Sequence, residues 1–274
     1  MCFILSFISD TIILERGVFM YKISNFTDNN DVKVIEELGP FKVIEYQRDL
    51  SVTPMTAQVS YFSNLMNVRK RQVICNLGVS SITTQSGAMQ WMIGNVNATT
   101  GVKGVGDLFS KAVRGKVTGE SAIKPEYTGD GLMMLEPTYK HILLLNLEEW
   151  NGSIVLDDGL FLACESKLKQ KAVMRSNVSS ALAGNEGLFN LGIQGNGILC
   201  VESPVPKEEL IEIELQNDVV KIDGNMAIAW SGSLEFTVER SGKSLVGSAA
   251  SGEGLVNVFR GTGKVLFAPV DKTK

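Results

Sequence analysis

The sequence predicts an all-β protein: repeated antiparallel units, each sandwich-like or resembling a double-stranded β-helix, in a pseudo-threefold arrangement with very little helix. Three observations predict it. A Gly-x-Gly pattern followed by apolar residues recurs as GDGLMMLEP from Gly129, GNGILCVES from Gly195 and GTGKVLFAP from Gly261, each 66 residues after the last. Neighbouring blocks recur in register with it, which one coincidence of spacing would not produce. Short apolar runs separated by turn residues fill the rest, and helical periodicity is nearly absent.

Taken in chain order, residues 1–19 stand apart. MCFILSFISDTIILERGVF is apolar, but Asp10, Glu15 and Arg16 interrupt it short of the ~20 residues a spanning helix needs. It has neither the basic start nor the small-residue cleavage site of an export signal. These residues are read as an extension outside the domain, a peripheral membrane anchor being the alternative. Next, ITTQSGAMQWM aligns with IVLDDGLFLACES and VVKIDGNMAIAWS, placing Gly87 with Gly159, Asp157 with Asp223 and Ala163 with Ala229. DLFSKAV offers the best helical face, through Leu108, Phe109, Ala112 and Val113. An acidic turn precedes each glycine pair (Gly129 and Gly131, Gly195 and Gly197, Gly261 and Gly263): Gly119-Glu120, Glu186-Gly187 and Glu253-Gly254.

Ile211, Ile213 and Leu215 alternate with Glu212 and Glu214, the pattern of a half-buried strand. Asn151-Gly152, Asp158-Gly159, Asn217-Asp218 and Asp223-Gly224 read as turns, since these residues tolerate positive φ. In SLEFTVER, Leu234, Phe236 and Val238 share a face. Residues 20–274 are therefore expected to form one domain of three units: 119–184, 185–250, and a third assembled from about 40–118 plus 251–269. Such a ring would protect sheet edges that otherwise invite aggregation.

From Tyr21 onward the chain resembles the family named for altered inheritance of mitochondria (member twenty-four), catalogued in bacteria as a domain of unknown function. GAMQWMIGN, VTGES, LDDGLFLACES, GEGLFNL and GEGLVNVFRGTGKVLFAP carry the resemblance, which covers about the last 250 residues. It implies repeated units with a fold like the tryptophan RNA-binding attenuation protein, and no known active site. Mitochondrial relatives are linked to inner-membrane organisation.

The inventory of reactive groups is thin. His141 is the single histidine, too few for a cupin-like metal centre, and at the head of an apolar strand it reads as structural rather than catalytic. Cys2, Cys75, Cys164 and Cys200 show no CxxC spacing, and with no export signal they fit a cytoplasmic protein with reduced thiols. The net charge of −4 and pI near 5.3 argue against a nucleic-acid footprint. The one dense basic run, Arg69-Lys70-Arg71, reads as a solvated strand end. Ser241-Gly242-Lys243-Ser244 lacks the earlier glycine of a phosphate loop, where Thr237 stands. The repeated carboxylates Glu120/Glu186/Glu253, Asp157/Asp223 and Glu136/Glu202 are read as turn-stabilising, with coordination of a hard cation as the alternative.

Breaks in the repeat are the candidate interaction surface: Trp91 with Met92 and Ile93, Trp150, and Trp230. Trp91 aligns with Ala163 and Ala229, and Trp230 with Cys164. The expectation is a non-enzymatic β-scaffold with no cofactor and no metal, forming a homo-oligomer or meeting a protein or membrane-surface partner. The alternative is a small-molecule or nucleic-acid binding protein by fold analogy, with nucleic acid disfavoured by charge.

Overall fold

The structure is a computed structural model that describes residues 21–100, 124–174, 189–223, 226–240 and 255–270. Its strands are β1 (Val32–Leu38), β2 (Phe41–Tyr46), β3 (Arg71–Asn76), β4 (Ile82–Thr84), β5 (Met89–Thr99), β6 (Glu126–Leu135), β7 (His141–Asn146) and β8 (Ser153–Leu156). They continue with β9 (Phe161–Glu165), β10 (Lys169–Met174), β11 (Phe189–Gln194), β12 (Ile198–Ser203), β13 (Ile211–Asp223), β14 (Ala227–Ser231), β15 (Glu235–Arg240) and β16 (Leu255–Phe267). One α-helix, α1 (Ala57–Leu65), lies between β2 and β3, and 3₁₀ turns cover Leu147–Trp150 and Lys207–Glu209. The protein is all-β. The helix expected over DLFSKAV, the turn glutamates Glu120, Glu186 and Glu253, their glycines Gly119, Gly187 and Gly254, and residues 1–19 lie outside the described residues.

All strand pairs are antiparallel and form two sheets that curl toward barrels. The nine-stranded sheet runs β1-β2-β3-β6-β4-β9-β12-β7 with β5 on β6; the seven-stranded sheet runs β10-β11-β8-β14-β16-β13 with β15 on β16. Three main clusters of buried side chains form the core: the first joins the two sheets, the second lies within the nine-stranded sheet and the third within the seven-stranded one. One gathers Trp150, Leu156, Phe161, Leu199 and Leu266. A second gathers Phe41, Met133, Leu135, Ala163 and Cys200. The third centres on Trp230, Phe236 and Phe259, whose ring centroids stand 5.0–5.2 Å apart. A fourth, smaller cluster of Ile44, Ile74, Leu132 and Met134 is covered by Tyr21, Ile23 and Phe26.

One pairing recurs with the same register. Trp91 and Met92 of β5 face Met134 and Met133 of β6. Ala163 and Cys164 of β9 face Cys200 and Leu199 of β12, and Ala229 and Trp230 of β14 face Leu266 and Val265 of β16. Each pair carries a bulge just before the first of these residues. The extra residue turns the strand over. Met89 therefore packs with the second cluster and Trp91 with the fourth; Phe161 lies in the first and Ala163 in the second; Ala227 lies in the third and Ala229 in the first.

The backbone at the glycine pattern also recurs: φ is +124° at Gly129, +123° at Gly195 and +120° at Gly261. At Gly129 the conformation is accompanied by a close approach, for a Cβ there would run into the Asn95 carbonyl across the ladder. Gly131, Gly197 and Gly263 follow on the same strands or their link. Gly87 and Gly159 take positive φ in the tight turns expected of them, with open space around both.

One expectation changes. Asn217-Asp218 does not end a strand: Asn217, at φ +52°, forms a bulge within β13, and pairing resumes at Asp218 opposite Gly261. The left-handed residue read as a turn instead lets one strand continue through a kink. The equivalent Asn151, also at +52°, does form a turn, after the 3₁₀ segment. β16 pairs with β13, β14 and β15, all from residues 211–240. No strand pairing among the described residues joins β13 or β16 to the strands of residues 32–99.

Gly129→Ala is expected to lower the free energy of unfolding by about 3 kcal/mol or more, through backbone strain and the clash with Asn95. Gly159→Ala, at a φ of +74° and with open surroundings, costs roughly 1–2 kcal/mol. Urea denaturation of both variants compares them directly.

Candidate interaction surface

Between Asp49 and Arg69 the chain carries no charged residue. Within this stretch Met55, Val59, Phe62 and Met66 fall at helical spacing on one side, with Tyr61 and Leu65 beside them. Helix α1 realises that pattern, but inverted. Its less exposed residues are polar, Ser60, Ser63 and Asn64, and line a recess with Tyr46, Asp49, Arg69, Lys70 and Tyr139. Its apolar side chains point to water: Val59 is 68% exposed, Leu65 63% and Met66 77%. An amphipathic helix normally turns its apolar stripe to the core.

The mounting of this helix is ionic. Its C-terminal end closes in a Schellman arrangement: Asn67 takes φ +62°, the Val68 N–H donates to the Ser63 carbonyl at 2.9 Å, and the Asn67 N–H donates to Asn64 at 3.2 Å. The basic run then fastens it. Arg69 Nε donates to the Asn64 carbonyl at 3.2 Å. Arg71 Nη2 donates to the Asn67 carbonyl at 3.1 Å and to its side-chain oxygen at 2.8 Å. Cations at a helix C-terminus also meet the negative end of its dipole.

Both arginines converge on Glu45, with Arg71 Nη2 at 2.7 Å and Arg69 Nη1 at 2.8 Å, while Lys70 reaches Asp49 at 3.0 Å. The basic run is thus not a solvated strand end. Arg71 is 2% exposed and Glu45 6%, because β3 turns that arginine inward beneath the helix, where its charge needs a carboxylate. Burial pushes the Glu45 carboxyl up, but the hydrogen bond from Arg69 and the charges of Arg71 and Arg69 outweigh it and hold the group below its ordinary range. His141, half-buried at the head of β7, is pushed below its usual pKa by burial and by Arg71.

The residues singled out by breaks in the repeat divide. Trp150 and Trp230 are each 4% exposed and fill the first and third clusters. They are core side chains and present no surface. Trp91, Met92 and Ile93 lie on β5, which among the described residues pairs only with β6. Trp91 meets Phe26 edge-on at 5.8 Å, and Met92 is 41% exposed. Asp157, Asp223, Glu136 and Glu202 do not converge: among the described residues no three His, Cys, Asp or Glu side chains are grouped to hold a metal ion. Cys75, Cys164 and Cys200 are buried and unpaired, and burial pushes each thiol upward.

A cleft of about 360 Å³ opens beside the fourth cluster. Tyr21, Phe26, Phe41, Ile74 and Leu132 line it, and the Glu37–Lys42 ion pair at 3.2 Å stands at its rim. The Tyr21 hydroxyl is buried without a hydrogen-bond partner, and burial, with Asp130 nearby, raises its pKa.

Residues 64–270 match the family described as Mitochondrial biogenesis AIM24. The chain belongs to that family. An uncharacterized protein of Streptococcus pyogenes serotype M6 is 32% identical over 195 residues, covering 68% of this chain and 76% of that protein. The X-ray crystal structure of a Streptococcus pyogenes protein is similar with a TM-score of 0.56 at 29% identity, over 75% of this chain and 90% of that one. The AIM24 match begins inside α1, so Met55, Val59 and Phe62 precede it.

Glu45→Ala leaves Arg71 buried without its carboxylate and is expected to cost about 3–5 kcal/mol. In the wild type, a carboxyl depressed in the folded state stabilises above its unfolded pKa and loses that contribution as pH falls through the folded value. Melting temperature should therefore begin to drop below about pH 6.5, where the unfolded chain's histidine takes up a proton that folded His141 resists, and drop further below about pH 4.5, where the unfolded chain's carboxyl takes up a proton that folded Glu45 resists. Calorimetry across pH 7 to 3 measures both steps.

Proposed function

We propose that this AIM24-family chain is a non-enzymatic β-scaffold that docks a protein partner on the outward face of α1. The observation that carries this reading is the inverted helix: an apolar stripe of Met55, Val59, Phe62 and Met66 held in water by a buried ionic mount. A large exposed apolar patch marks an interaction site in a folded protein. Methionine and aromatic side chains suit such a face, since they adapt to a groove with little loss of contact. The chemistry favours protein over membrane. Interfacial helices carry Lys or Arg on their polar face, whereas the polar face of α1 is Ser60, Ser63 and Asn64 and the nearby cations are already paired. No helix among the described residues is long and apolar enough to cross a membrane. The net charge of −4 and the inward basic run weigh against nucleic acid.

A second reading is favoured by one observation. The unpartnered Tyr21 hydroxyl beside an apolar cleft suits a small amphipathic ligand with one polar group. Native mass spectrometry of protein from its own cells tests it: an excess mass lost on collisional activation supports the ligand, and a bare chain mass rejects it.

The scaffold reading is tested by a photo-crosslinking amino acid at Val59 of the full chain in its own cells. The expected result is one discrete protein adduct, abolished by Phe62→Ser with Leu65→Ser and absent when the crosslinker sits at Lys169. The serine variant should change stability by less than about 0.5 kcal/mol, since both side chains are exposed. An adduct formed only with lipid, or none at all, overturns the reading.

A further inference from the structure

β4 and β8 occupy equivalent places. Ile82 of β4 faces Tyr127 on β6, and Ile154 of β8 faces Ile193 on β11, as Val220 of β13 faces Phe259 on β16. The outer edges of β4 and β8 are also paired, and alike. Thr84 and Thr83 face Ala163 and Cys164 of β9, and Leu156 and Val155 face Ala229 and Trp230 of β14. Each run of strands is thus sewn to the next by one repeated joint. These joints are buried: β9 and β14 are covered throughout, and Ile82, Ile154 and Leu156 have no exposed surface.

Two edges are left over. Among the described residues, the second half of β13, the counterpart of β4 and β8, pairs only with β16. Among them too, the first half of β5, the counterpart of β9 and β14, pairs only with β6. Both are exposed where their counterparts are not, with Val219 at 44% and Met92 at 41%. The leftover donor and the leftover acceptor are the two halves of the joint the chain already makes twice.

We propose that a second copy of this chain completes the joint, β13 of one copy pairing antiparallel with β5 of the other. The register of the internal joints places Ile222 opposite Trp91, Lys221 opposite Met92 and Val220 opposite Ile93. Side-chain alternation agrees. Ile222 and Val220 face the third cluster, Trp91 and Ile93 pack on the fourth, and Lys221 and Met92 turn outward. The joint is heterologous, and two copies that exchange it reciprocally close the assembly and leave neither edge open. A second copy suits these edges better than the chain's own ends, because β5 and β13 are not paired with each other here and Phe26 of the same chain already stacks on Trp91. The inference rests on the scaffold reading, and names the chain itself as one component of the scaffold.

The test is disulfide trapping between Met92→Cys and Lys221→Cys, both at exposed positions of the full chain. Mixing the two single variants under mild oxidation is expected to give a two-chain product at least tenfold above either variant alone, which sets the background from native thiols. Met92→Lys sets two ammonium groups opposite one another and should reduce the native mass from a multiple of 29.8 kDa to a single chain. A disulfide that forms only within the double variant's own chain overturns the proposal in favour of intramolecular closure. No trapped product, or a wild type that is a single chain at tens of micromolar, overturns it as well. The adduct from Val59 on α1 is read separately, so failure of the joint and failure of the scaffold reading are told apart.

Discussion

The contact between Arg71 and Glu45 sets the conditions for much of the N-terminal half. A guanidinium with almost no exposed surface is stable only when its charge is met and its donors are filled. Glu45 meets the charge, while the carbonyls of Asn67 and Arg69 take further hydrogen bonds. Those acceptors belong to the end of α1 and its exit. One buried cation therefore joins β2, β3 and the helix, and the helix owes its orientation to that anchorage rather than to apolar packing. An apolar face can be displayed outward because nothing apolar is needed to hold the helix down. Stability and display are thereby divided between different residues of the same segment.

The parts of the fold that repeat were open to sequence reasoning. Gly129, Gly195 and Gly261 require a backbone conformation that few other residues adopt, so their recurrence survives divergence of the surrounding side chains. Leu215 and Ile213 against Glu212 and Glu214 revealed a strand because its outer face meets water. What stayed hidden depended on partners distant in the chain. Arg71 looked solvated because Glu45 lies 26 positions upstream, and no local pattern joins them. Trp150 and Trp230 looked like surface residues because they broke the repeat. In the structure both are core side chains, Trp150 in the first cluster and Trp230 in the third. The signal for α1 was present, as nineteen uncharged residues with Met55, Val59, Phe62 and Met66 at helical spacing, but periodicity alone does not say which side of a helix faces inward.

The family match covers the body of the chain and only the last residues of its helix. That division matches the energetics. β9 and β14 are buried on both faces of a sheet, whereas the outward residues of α1 are exposed. The same β-framework can thus carry different surface helices.

The bulges before Trp91, Ala163 and Ala229 carry a consequence for how the protein comes apart. By turning a strand over midway, each lets one strand serve as wall to two neighbouring cores. Loosening one cluster shifts a strand that also lines the next, so the clusters melt together rather than in sequence. A chain of duplicated units commonly frays repeat by repeat. Here the strands on either side of each bulge are shared between clusters.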